Sequence, residues 1–140
     1  HRFYDEMLYS VMRTLILDFF DFHVRINGLE ESSTSQGAHL MGRFISMLER
    51  GEYRTCREVS HYASKLCVTP KYLSEVSNHI TGYSAGWWIN RFTILDISRQ
   101  LRDRSQNISD IAETFNFTSP SYFSRYVQRF LGEAPTDYRG

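Results

Sequence analysis

The feature that most limits the fold of this 140-residue chain is a pattern that occurs twice, with the copies 50 residues apart. Each copy has a proline, three apolar residues at helical spacing and a glycine. Proline is favoured in the first turn of a helix and glycine just after the last turn. Each copy therefore predicts one helix that begins at its proline and ends before its glycine. The matching pairs are Pro70 and Pro120, Leu73 and Phe123, Val76 and Tyr126, Ile80 and Phe130, and Gly82 and Gly132.

A shorter helical pattern precedes each of these helices. Serine, threonine and asparagine are favoured at helix N-caps, and an acidic residue three positions later can complete a capping box. We therefore expect Thr55 with Glu58 to open the first short helix, and Asn107 with Asp110 to open the second. The apolar positions of the short helices are Val59, Ala63 and Leu66 in the first copy and Ile108, Ala112 and Phe115 in the second.

The turns between short and long helices are "CVT" and "NFTS". Asn116 in the second turn tolerates the left-handed conformation that a tight turn needs. Thr69 and Ser119 are the expected N-caps of the long helices. Each copy is therefore a predicted helix-turn-helix, at about residues 55–82 and 107–132.

Residues 84–101, "SAGWWINRFTILDISRQL", join the two units. Their apolar residues have helical spacing and no proline interrupts them, so we expect one helix of about 18 residues, roughly 27 Å long. Two helix-turn-helix units enter successive major grooves of B-DNA when they lie about 34 Å apart. The length of this segment therefore suits that arrangement.

Upstream, residues 1–26 predict an N-terminal amphipathic helix, and the glycine-, serine- and threonine-rich residues 27–37 predict a flexible linker. A further amphipathic helix is expected from His39 to Arg50. The N-terminal helix is expected either to pack within the molecule or to form a homodimer with a second copy. Residues 38–140 are expected to form the domain that follows the linker. The apolar stripe that would make either contact is Tyr4, Leu8, Val11, Leu15, Phe19 and Phe22.

Composition excludes several classes of protein. No apolar run is long enough for a membrane span, and two cysteines are too few for a disulfide scaffold, which favours a cytoplasmic protein. Cys56, Cys67, His61 and His79 lack the spacing of a metal site, and no catalytic or phosphate-loop motif occurs. We therefore expect no metal, no cofactor and no enzymatic activity. The net charge is zero, but residues 1–37 carry −3, so the remainder carries +3.

The outward faces of the two long helices carry the candidate binding residues. Arginine and lysine match the edge of guanine, glutamine matches adenine, and a helix N-terminus suits a phosphate. The candidates for reading bases are Lys71, Tyr72, Glu75, Ser121, Tyr122 and Arg125. The candidates for backbone or rim contacts are Thr69, Ser74, Asn78, His79, Thr118, Ser119, Gln128 and Arg129.

These motifs resemble the DNA-binding domain of AraC/XylS-type bacterial transcription regulators. The resemblance covers about Leu40 to Arg139 and rests on "YASKLCVTPKYLSEV", "WWINRFTILDISRQL" and above all "ISDIAETFNFTSPSYFSRYVQRFLGEAPTDYR". It implies an all-α fold with two helix-turn-helix subdomains joined by a long linker helix. It also implies double-stranded DNA as the partner, and contact with RNA polymerase during activation.

Four residues depart from that family pattern. Asn116 replaces a usual glycine, Ser77 and Val127 stand where a buried phenylalanine is common, and Thr93 stands where arginine is frequent. The alternative is a protein-interaction or dimerisation module of the same fold with weak residual DNA binding, which the zero net charge would suit. Salt dependence separates the two, because only phosphate contacts release counterions.

Overall fold

The computed structural model describes residues 32–140, and every regular element in that range is helical, which confirms the all-α prediction. The predicted N-terminal helix and its apolar stripe lie outside the described residues. The elements are α1 (Ser32–Glu49), a short 3-10 helix (Glu52–Arg54), α2 (Val59–Lys65), α3 (Pro70–Thr81), α4 (Ala85–Arg102), α5 (Ile108–Thr114), α6 (Pro120–Leu131) and α7 (Pro135–Arg139).

Helix α1 begins earlier than the sequence predicted. Residues 32–37 belong to this helix, so the linker expected at 27–37 does not extend to Gly37. Gly37 is buried against α3, where a Cβ atom would lie 3.4 Å from both Val76 and Ile80. The glycine thus lets two helices approach closely, a packing role that its loop-like neighbours concealed. Met41, Phe44 and Leu48 continue the buried face of α1.

The two helix-turn-helix units, α2–α3 and α5–α6, have the same local construction. Thr69 and Ser119 each accept a hydrogen bond at 3.1 Å from the backbone N–H three residues ahead, so both predicted N-caps are confirmed. Gly82 and Gly132 end α3 and α6 with φ values of 83° and 82°, as expected for left-handed C-caps.

The turns inside the units are also equivalent. Cys67 and Asn116 have φ values of 60° and 58°. The next residue in each turn, Val68 or Phe117, donates its N–H at 3.0 Å to the carbonyl five residues back, which is the Schellman pattern. Asn116 was expected in this conformation, whereas Cys67 was not, because cysteine has no special preference for it. The exposed Cys67 adopts it because the turn requires it.

The starts of α2 and α5 differ from each other. Asn107 caps α5 by accepting a hydrogen bond from Ser109 N–H at 2.9 Å, as expected. Thr55 does not cap α2, so that prediction was wrong. Thr55 follows the 3-10 helix, and α2 begins after Glu58, whose side chain makes no capping bond. The carbonyl of Thr55 instead accepts a hydrogen bond from Asn116.

Helix α4 spans 18 residues and contacts both units, with its N-cap at Ser84. Trp88, Ile89 and Leu101 are among its buried side chains. Its last carbonyls are satisfied by Arg139, whose Nε donates to Leu101 O at 2.8 Å. The closing arginine of the sequence therefore caps the linker helix from outside.

A buried carboxylate ties α4 to the 3-10 helix. Asp96 is 1% exposed and accepts a hydrogen bond from the Tyr53 hydroxyl at 2.7 Å. Arg54 reaches the same carboxylate with Nε at 2.8 Å and Nη2 at 2.7 Å. The ion pair holds the pKa of Arg54 above its ordinary value, although burial of the guanidinium opposes it. The chain between α1 and α2 is therefore fixed to the linker helix.

Candidate nucleic-acid interface

Helices α3 and α6 bury one face and expose the other in the same pattern. Leu73 and Phe123 occupy matching core positions, and so do Ser77 and Val127. Ser77 is fully buried and its hydroxyl donates to Tyr83 O at 2.7 Å. That bond satisfies the hydroxyl and fixes the turn after α3, which explains how serine can stand at a core position.

The outward face of α3 carries mixed charge. Lys71, Glu75, Asn78 and His79 are exposed, and Tyr72 is 43% exposed. The remaining two candidates of the first unit differ from these: Ser74 is half-buried, and the exposed Thr69 uses its hydroxyl oxygen as the N-cap of the helix. Near the start of this face, the hydrogen-bond donors of Lys71 and Tyr72 lie beside one carboxylate, that of Glu75, which can only accept.

The outward face of α6 is more basic. Arg125 and Arg129 lie one turn apart and both are exposed, as are Ser121 and Gln128. Tyr122 is 49% exposed, and its ring leans on Phe117 with a centroid distance of 5.4 Å. Thr118 is exposed and Ser119 is half-buried as the N-cap. This face therefore presents two guanidinium groups beside hydroxyl and amide groups.

The structure brings together the candidates of each helix on one outward side. Nearly all of them are exposed and none belongs to the apolar core. Arginine and lysine donate to guanine, glutamine and asparagine pair with adenine, and glutamate accepts from cytosine. Free N–H groups at the helix N-termini suit phosphate oxygens. Such faces can form hydrogen bonds with base edges and bind the phosphates of a nucleic-acid backbone.

Three ionisable groups with shifted pKa values lie off these exposed faces. Burial raises the pKa of Tyr126 to about 12, and its hydroxyl donates to Asn90 Oδ1 at 2.7 Å. Burial also lowers the pKa of Arg57, and burial raises that of Tyr62 above its ordinary value. Tyr126 lies on the inward side of α6, and Arg57 and Tyr62 lie outside α3 and α6, so none of the three belongs to the exposed faces.

Sequence reasoning assigned no role to Arg57. Its guanidinium lies 4.1 Å from the ring centre of Phe117, and Nη1 donates to the carbonyls of Tyr53 and Phe115. Phe115 is 58 positions away in sequence, so no local pattern could have indicated the contact. Arg57, just ahead of α2, therefore connects the entry to the first unit with the turn of the second unit.

Other kinds of site find no support in residues 32–140. No group of three histidine, cysteine, aspartate or glutamate residues in that range is arranged to hold a metal ion. Cys56 and Cys67 are free thiols. Within the same range, no helix is both long enough and apolar enough to cross a bilayer.

Comparison with known proteins agrees with the geometry. Residues 62–140 match the family described as "Helix-turn-helix domain". The Msm operon regulatory protein of Streptococcus mutans is 23% identical over 132 residues, which cover 94% of this chain and 45% of that protein. The uncharacterized HTH-type transcriptional regulator YisR of Bacillus subtilis is 28% identical over 68 residues, or 49% of this chain and 24% of YisR.

The chain thus spans less than half the length of the curated relatives it matches. No solved structure matches it significantly. The family match covers more than half of the chain and contains the second helix-turn-helix unit, α4 and all of α3. The chain therefore belongs to the AraC-type helix-turn-helix family of DNA-binding transcription regulators.

Proposed function

We propose that this chain regulates transcription by placing α3 and α6 in successive major grooves of one DNA duplex. The observation that carries the proposal is the equivalence of the two helices. Both begin with a capped proline turn, both end at a left-handed glycine, and both expose a polar face of the same extent. A single reading helix would not require the second face to stay free of exposed Leu, Ile, Val, Met and Phe side chains.

The linker helix supports a bipartite mode of binding. Its 18 residues give a length of about 27 Å at 1.5 Å per residue. Reading helices must lie about 34 Å apart to meet one face of B-DNA twice, and each unit adds its own width beyond the rod. The distance between the faces is therefore compatible with boxes about one helical turn apart.

The proposal divides the exposed residues by task. The residues near the start of each helix read bases: Lys71, Tyr72, Glu75, Ser121, Tyr122 and Arg125. The residues at the caps and the far ends of the helices, together with Ser74, contact the backbone: Thr69, Ser74, Asn78, His79, Thr118, Ser119, Gln128 and Arg129. Because α6 has two exposed arginines, the second unit contributes more of the affinity.

In-vitro selection of random duplex DNA on the purified chain tests the proposal. We expect enrichment of two short boxes about ten base pairs apart. Arg125→Ala should relax only the box read by α6, and the weakening should be about 1–3 kcal/mol at that box. Arg43→Ala is the matched control, because Arg43 is an exposed arginine of α1 outside both reading faces. A single enriched box, or none, would overturn the bipartite reading.

Two further partners are part of the proposal. The apolar stripe from Tyr4 to Phe22 would pair two copies of the chain, which would present four reading helices to DNA. Only monomer in sedimentation at high protein concentration would overturn this role. Contact with RNA polymerase would accompany activation, and transcription in vitro that responds to the chain only when the promoter carries the selected boxes tests that role.

The second candidate function is a protein-interaction module. Tyr83 favours it, because this side chain is 46% exposed and its ring stacks on Trp87 at a centroid distance of 3.9 Å. Aromatic residues of this kind are common in protein interfaces. Binding that weakens steeply as salt rises supports the DNA reading, whereas weak, salt-insensitive DNA binding supports the module.

A further inference from the structure

The segment that leads into the first helix-turn-helix unit touches the second unit directly, in addition to the connection of both units through α4. Arg57 lies on the loop before α2, and its guanidinium covers the ring of Phe117 in the turn of the second unit. Asn116 of that turn donates its Nδ2 hydrogen to Thr55 O at 2.8 Å. We call the contact of residues 53–57 with residues 115–117 the joint.

An aromatic contact extends the joint toward the core. The ring of Tyr53 stacks on that of Phe115 with a centroid distance of 6.3 Å and an interplanar angle of 24°. The guanidinium of Arg54 lies over the Phe115 ring, with its carbon atom 5.3 Å from the ring centre. The joint is therefore packed as well as hydrogen-bonded.

Both sides of the joint are also fixed to α4. The first side is held by Asp96, which accepts hydrogen bonds from Tyr53 and Arg54. The second side is held through Phe117, whose ring packs on that of Tyr126 at a centroid distance of 5.2 Å, and the Tyr126 hydroxyl donates to Asn90 of α4 at 2.7 Å. The segment before α2, the second unit and the linker helix thus form a closed triangle of contacts. A helix alone permits its ends to bend and twist, whereas a closed triangle restricts both motions.

The contacts of Arg57 show what kind of role it has. It donates hydrogen bonds to the main-chain carbonyls of Tyr53 and Phe115, and its flat surface faces the Phe117 ring, with the Tyr126 ring centre at 5.9 Å. The planar guanidinium combines several directed donors with stacking on an aromatic ring, which a lysine ammonium cannot do. These contacts leave Arg57 half-buried, whereas Arg125 and Arg129 of α6 are exposed.

We propose that Arg57 and Asn116 are positioning residues that set the spacing at which the two boxes are read. This inference rests on the proposed function. One inserted base pair moves the second box by about 3.4 Å and rotates it by about 35° around the duplex, since a turn has 10–10.5 base pairs. A stiff connection between two binding units favours one geometry strongly, and a loose connection accepts several geometries with less preference.

The test uses the boxes selected by the wild-type chain, in duplexes whose spacer is shortened or lengthened by one or two base pairs. Affinity is measured for the wild type, Arg57→Ala, Arg57→Lys and Asn116→Gly. Glycine keeps the left-handed conformation of residue 116 and removes only the side-chain bond to Thr55. Arg43→Ala is the matched control, and the thermal melting of each protein shows that it is folded.

The wild type and Arg43→Ala should lose about tenfold in affinity for each base pair added or removed. Arg57→Ala should lose about threefold or less in affinity for each base pair added or removed, and it should bind more weakly than the wild type at the best spacing. The loss for Asn116→Gly should lie between those of the wild type and Arg57→Ala. Arg57→Lys should resemble Arg57→Ala, because geometry and not charge is the cause.

Each other outcome identifies what failed. If folded Arg57→Ala and Asn116→Gly keep the sharp spacing preference of the wild type, the inference is overturned and the bipartite reading stands. If Arg57→Lys restores the wild-type profile, charge and not the joint is responsible, which also overturns the inference. A wild-type chain that selects only one box overturns the proposed function and this inference together.

Discussion

Replacement of Asp96 by alanine should destabilise the fold more than any change on its surface. The carboxylate is 1% exposed and accepts hydrogen bonds from the Tyr53 hydroxyl at 2.7 Å and from Arg54 at 2.7–2.8 Å. Its removal takes away this acceptor of the buried Tyr53 hydroxyl. Loss of such a hydrogen bond at a buried polar group costs about 1–3 kcal/mol.

The loss of the ion pair adds to this cost. Removing one partner of a buried pair costs about 3–5 kcal/mol when the other charge stays buried. The side chain of Arg54 is 38% exposed, so its guanidinium can regain water and the cost falls below that range. We therefore expect a total loss of about 2–4 kcal/mol in the free energy of unfolding. This corresponds to a decrease in Tm of about 8–16 °C, at about 4 °C per kcal/mol.

Urea unfolding and thermal melting followed by circular dichroism measure this effect. Asp96→Asn should lose less than Asp96→Ala, because the amide oxygen can still accept from Tyr53. Glu133→Gln, which neutralises an exposed carboxylate, is the control and should melt within about 2 °C of the wild type. The reasoning is refuted if Asp96→Ala melts as close to the wild type as this control does.

Three further changes have defined outcomes. Ser119→Ala removes the N-cap of α6 and should lower the free energy of unfolding, measured with urea, by about 1 kcal/mol. An unchanged free energy of unfolding would mean that the cap does not stabilise the fold. Gly132→Ala places a Cβ on a residue with φ of 82°, and no atom lies within 4 Å of that Cβ position. Backbone strain alone should therefore lower the free energy of unfolding by about 1 kcal/mol. Because the pKa of Tyr126 is raised to about 12, from about 10 when unfolded, the folded state holds this proton more tightly and stability should fall from pH 10 to pH 12. Tyr126→Phe should flatten that fall, and an unchanged slope would contradict the assignment.

Local signals predicted the repeated parts of the fold. Thr69 and Ser119 are N-caps because their hydroxyls lie directly ahead of a proline turn, and such capping depends only on near neighbours. The outward faces of α3 and α6 follow from helical periodicity in the same way, and the structure leaves these candidate residues at the surface.

Long-range contacts account for what the sequence did not reveal. Gly37 looked like part of a linker until the close approach of α1 to α3 showed its packing role. Thr55 fitted a capping box, but its carbonyl accepts a hydrogen bond from Asn116, which lies 61 positions later. Arg57 and Asp96 have no periodic or motif signal, because their partners are brought to them only by the folded chain.

Hydroxyl-radical footprinting of the chain on its selected duplex tests the central claim most directly. The account predicts two protected windows on one face of the duplex, with centres about one helical turn, or 10 base pairs, apart. Arg125→Ala should weaken the window of α6 and leave the other in place. A single window of protection at saturating protein would contradict the claim that α3 and α6 bind successive major grooves.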